Sequence, residues 1–123
     1  MMLVYILPII AALLNPVLAH EARTLRLSPK QMGRIIIAPG RTTILSFPMK
    51  PTKVILGNKG MFAVEYVEND LAIAALTSTS RSNLFVYLDS RRFGFDLSTS
   101  SQGAEEIVLV RDATENQMKV NVK

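Results

Sequence analysis

Cysteine and tryptophan are absent from the 123 residues, and histidine occurs once, at His20. Without cysteine there is no disulfide, no thiolate nucleophile and no lipoprotein attachment site. One histidine and no cysteine fall short of the usual zinc ligand set, so no metal or cofactor is expected. Acids occur mostly singly at turns. Glu105 and Glu106 are neighbours that on a strand face opposite sides, which is not the arrangement of a paired acid and base. Asp89 with Arg91 reads as turn chemistry. Gly57-Asn58-Lys59-Gly60 lacks the spacing and the following helix of a phosphate-cradling loop. These absences point away from an enzyme. Aromatic residues make up 7% of the chain, and Phe47 alone interleaves with the bases of the first half. A stacking platform for single-stranded nucleic acid is therefore not expected.

What the chain does have begins with an apolar run, Leu3 to Leu14, broken at Asn15 and Pro16. Val17-Leu18-Ala19 fits the small-residue cleavage rule, so residues 1–19 read as a signal peptide and the mature protein as starting at His20. An apolar stretch of about a dozen residues is short for a bilayer-spanning helix. An uncleaved anchor is the alternative, since Met1 and Met2 supply no Lys or Arg. A mature chain of about 104 residues, residues 20–123, is expected to form a single domain stabilised by apolar burial. Charge is unevenly placed. Arg23, Arg26, Lys30, Arg34, Arg41, Lys50, Lys53 and Lys59 occur with no acid among them, whereas acids outnumber bases from Gly60 onward. The split reads either as a surface for an acidic or anionic partner or as ordinary solvated strand faces.

Short strands separated by turn chemistry fill the rest. Arg23 to Leu27 alternates and stops before Pro29. Arg34 to Ala38 is closed by Pro39-Gly40, a type II turn pair. Thr42 to Phe47, Lys53 to Leu56, Phe62 to Val67, Leu71 to Leu76 and Ile107 to Val110 read as further strands, with Ser98 to Gly103 as a flexible linker. In the last segment Met118, Val120 and Val122 alternate with Lys119, Asn121 and Lys123, as on a managed edge strand. Strands of this length with frequent turns predict an all-β fold, a small antiparallel β-sandwich. The methionines at 32, 49, 61 and 118 read as fillers of core gaps.

Ser82 to Leu97, SNLFVYLDSRRFGFDL, is the most informative stretch. Leu84, Val86 and Leu88 share one face of a first arm, with Phe85 and Tyr87 on the other. Asp89, Ser90 and Arg91 make the turn. Phe93, Phe95 and Leu97 alternate with Arg92, Gly94 and Asp96 in the second arm. Two period-two aromatic runs around a short polar loop predict a β-hairpin whose register is fixed by its apolar row. Phe85 and Tyr87 beside Arg92 have the composition of an interface centre. The other reading is a strand buried on both sides. Phe85, Tyr87, Arg91 and Arg92 are the candidate protein-binding residues.

The same hairpin resembles the "TNL…D…R.Y.F.L" hairpin in the N-terminal domain of the TrbG/CagX family of type IV secretion and conjugation proteins. Upstream, Pro48 to Leu76 has a similar layout, and the likeness covers roughly Arg34 to Val110. The tryptophan usual before that hairpin is missing. The likeness does not reach the family's second β domain, associated with the outer-membrane lipoprotein partner and the pore, so only the first half of the family's role is implied. The resemblance implies a non-catalytic periplasmic structural component, contacting other subunits of an envelope-spanning complex through strand edges and the hairpin's aromatic face. Membrane association would be indirect, and an oligomer within the complex is compatible with that role. A pilus or secretin-associated domain of the CpaC type is the related alternative, and the aromatic second arm, FGFDL, favours TrbG/CagX. A free periplasmic module for a small ligand is a third reading, for which a sandwich this small has little room.

Overall fold

The computed structural model describes residues 21–114. Residues 1–19, His20 and the expected final strand at Met118, Val120 and Val122 lie outside them. Nine strands form in the order β1 (Arg23–Leu27), β2 (Met32–Ile37), β3 (Thr42–Ser46), β4 (Lys53–Leu56), β5 (Phe62–Val67), β6 (Asp70–Ala75), β7 (Arg81–Leu88), β8 (Arg91–Thr99) and β9 (Ile107–Asp112). They make a five-stranded sheet, β1-β9-β3-β6-β5, and a four-stranded sheet, β2-β8-β7-β4. The two sheets pack on a core that includes Ile35, Leu45, Ile73, Val86 and Val110, all fully buried. The protein is thus an all-β sandwich.

The sheets are mixed rather than wholly antiparallel. β1 and β3 both run parallel to β9, and β2 runs parallel to β8. The cause lies in the connections. Apart from the β5–β6 and β7–β8 hairpins, each connection both reverses the chain and carries it to the opposite sheet. A chain that returns to its first sheet after two such turns runs in its original direction. β1 and β3 therefore lie parallel with a gap between them, and β9 fills the gap. The Pro39-Gly40 turn fits its expected type, with Gly40 at φ 80° and the Arg41 amide donating to the Ala38 carbonyl at 3.1 Å.

The hairpin forms as its alternation dictates. Leu84, Val86, Leu88, Phe93, Phe95 and Leu97 all point into the core. Phe47 joins them, its ring 5.8 Å from Phe93 and 6.2 Å from Phe95 between centroids. The turn is one residue shorter than expected, because Leu88 pairs directly with Arg91 and leaves only Asp89 and Ser90 between the arms. The presumed linker from Ser98 is also shorter, since Ser98 and Thr99 continue β8 alongside Ile36 and Ile37. Glycine sets a close approach at Gly33. A Cβ there would stand 2.8 Å from Leu25 and 3.2 Å from Phe95, so its absence lets the β1 leucines close the core at this edge. Met61 packs against the core as expected, whereas Met32 and Met49 are exposed.

Candidate functional site: the outer face of the four-stranded sheet

Strand alternation sends every second residue of β2, β8, β7 and β4 away from the core. The register then sets these residues in rows across the sheet. Met32 lies beside Gly94, Gly94 beside Phe85, and Phe85 beside Ile55. Arg92, Tyr87 and Lys53 make the next row on one side. Arg34, Asp96 and Asn83 make the row on the other. An apolar stripe thus crosses four strands with charged rows along both borders. Met32 and Ile55 are 43% and 42% exposed, well open for large apolar side chains.

Phe85 is neither free in solvent nor covered by a loop. Its ring lies along the sheet over Gly94, where an added Cβ would stand 3.1 Å from the ring and 2.5 Å from the Met32 sulfur. Glycine at this position lets an aromatic ring and a thioether pack flat on the backbone, the arrangement in which an aromatic shields a strand glycine. Arg92 rises beside them, its guanidinium 5.9 Å from the Phe85 centroid and donating to the Pro29 carbonyl at 3.4 Å. Tyr87 is half-buried on the same face. Arg34, Lys53 and Arg92 against Asp96 make the face net positive. A shallow depression of about 710 Å³ extends it toward Arg81 and Ser98.

Of the four candidate binding residues, Phe85, Tyr87 and Arg92 come together and Arg91 does not. Arg91 shares the parity of Phe93 and turns inward. Its guanidinium stacks 4.0 Å from the Phe93 centroid, pairs with Asp112 at 2.7 Å and donates to the Leu27 carbonyl at 2.7 Å. It therefore ties β8 of one sheet to β9 of the other. Met32, Ile55 and Gly94 complete the face and were not singled out from sequence. Each strand contributes only one or two of its residues, so no local pattern announces them.

A second depression, about 340 Å³, lies near Ala38 and Gly103. Its charges answer one another: Arg23 pairs with Glu105 and Arg41 with Glu106. The two glutamates precede β9 rather than lying on it, and they separate to different arginines. The Glu105 carbonyl also accepts from the buried Thr43 hydroxyl at 2.6 Å. Two bases of the acid-free run from Arg23 to Lys59 are thus neutralised by acids of the second half. Among the described residues, no three acidic or histidine side chains gather into a metal-binding group. No helix among them is long and apolar enough to cross a membrane. Comparison with protein-family models and with curated proteins finds no match.

Proposed function

We propose that the protein is a non-catalytic periplasmic component of an envelope-spanning type IV secretion or conjugation complex. In this reading it docks onto other subunits through the outer face of the four-stranded sheet. The observation that carries it is the row Met32, Phe85 and Ile55, aligned by register and bordered by Arg92, Tyr87 and Lys53. An apolar centre with aromatic and arginine residues at its margin is the composition of a protein interface rather than of a solvated sheet face. The hairpin's resemblance to the TrbG/CagX N-terminal domain supplies the class of machine.

The test is the double substitution Phe85→Ser with Tyr87→Ser. Neither side chain enters the core, so the circular dichroism spectrum should keep its β signature. Removing two aromatic anchors should weaken cross-linking to the host's secretion or conjugation subunits by about tenfold or more. A folded double variant that cross-links to those subunits as well as the parent would remove this face from the function.

A further inference from the structure

The five-stranded sheet has an outer face too, and an apolar row crosses its middle between polar margins. Ile107 of β9 lies beside Ile44 of β3, and Ile44 beside Ala72 of β6. Three adjacent strands thus present an unbroken apolar row away from the core. In the next row Leu109 and Val67 lie at opposite sides of the sheet with Ser46 and Asp70 between them, and Val67 is 53% exposed. Ala72 is small, which leaves the face flat on the β6 side of Ile44. Flat apolar sheets pack on other sheets with their strands nearly aligned, about 10 Å apart.

Charge on this face is divided by position. Arg26 and Arg111 are register partners at the β1–β9 side. Glu68 and Asp70 lie in and beside the β5–β6 turn, at the same end of the strands but the opposite side of the sheet. A two-fold axis running along the central strand β3 exchanges these sides. It would set the acidic turn of one copy over the arginines of the other, twice, with the Ile44 rows in the middle. The face is therefore complementary to itself in charge as well as in shape.

Glu68 adds a second observation. It adopts φ 56°, the one described non-glycine residue in the left-handed region. Glycine or asparagine fits this conformation more easily, and an ordinary side chain there costs about 1 kcal/mol or more. A strained residue retained at a turn suggests that its side chain has a use. Within the described residues its carboxylate has no ion-pair partner.

We propose that the outer face of the five-stranded sheet is a self-association surface, on which two copies pack face to face with Glu68 and Asp70 of one opposite Arg26 and Arg111 of the other. Five strands at about 4.8 Å spacing and about 18 Å length give roughly 430 Å² of flat face per copy, at the low end for an interface. The dimer is accordingly weak and forms reversibly at micromolar to millimolar protein.

Sedimentation velocity of the full chain over that range tests this. The parent should shift from monomer to dimer with concentration, and added salt should oppose the shift. Arg26→Glu should weaken association by about tenfold. Joining Arg26→Glu to Glu68→Lys on one chain should restore it. Glu68→Gly separates the surface from the fold, because it should raise the melting temperature by about 4 °C or more while weakening the dimer. A parent that stays monomeric throughout overturns the proposal. A dimer indifferent to Arg26→Glu and Glu68→Gly, or a paired reversal that fails to restore it, overturns it equally.

Discussion

Asp112 shows how one side chain couples the two sheets to pH. Its burial raises the carboxyl pKa. Hydrogen bonds from the Thr114 hydroxyl and amide, and the bond and charge of Arg91, outweigh that effect, so the net value lies below the ordinary 3.8. A carboxyl whose folded pKa is depressed contributes stability above its unfolded pKa and loses it as pH falls through the folded one. Asp112→Asn should therefore melt lower than the parent at neutral pH, and the gap should close below the ordinary carboxylate range. Thermal melts of both proteins between about pH 7 and about pH 2 check this; a gap that persists undiminished at the acid end would exclude Asp112 as its source. From sequence, Arg91 reads as a turn residue and a candidate binding residue, not as an inward-facing one. Its partners, Leu27, Phe93 and Asp112, come from three strands, and two of them are far away along the chain. Its inward parity, however, follows directly from pairing with Leu88 once the turn is known to hold two residues.

At the level of elements, alternation carried most of the information. Arg23 to Leu27, Lys53 to Leu56 and Phe62 to Val67 match their strands end to end, because each is bounded by proline, glycine or asparagine chemistry that stops pairing. β2 begins earlier than its apolar run, at Met32, because pairing with β8 continues past the point where hydrophobicity ends. The outer faces were harder to read. A row across a sheet is made by register, and register between strands distant in sequence leaves no local trace. Gly33 illustrates the same limit, since nothing in its surroundings in the chain shows that Leu25 and Phe95 close over it. We expect Gly33→Val to overpack this edge and destabilise the domain by about 1 to 3 kcal/mol. Urea denaturation would register this as a lower midpoint at unchanged slope. A midpoint equal to the parent's would mean that β1 swings away freely and is not part of the core.

For the whole molecule, an all-β sandwich was readable from strand length and turn spacing, but its mixed pairing was not. Parallel neighbours arise here from pairs of sheet-crossing turns, and composition does not record which turns cross. The charge split of the sequence is likewise undone in space, where Glu105 and Glu106 return to Arg23 and Arg41. The position of β9 between β1 and β3 makes it the strand on which one sheet depends. Ending the chain before Ile107 should leave a protein without a cooperative thermal transition, even though both hairpins remain intact; calorimetry showing a sharp transition in the shortened chain would refute this. The same placement has a temporal meaning. The hairpins β5–β6 and β7–β8 need only neighbouring residues and can form early, but β1 must wait for a partner made near the other end of the described chain. A polypeptide delivered amino end first thus stays open along its leading strands until the segment from Ile107 to Asp112 arrives. β9 works as a clasp, and the moment of its arrival sets when the chain can become compact.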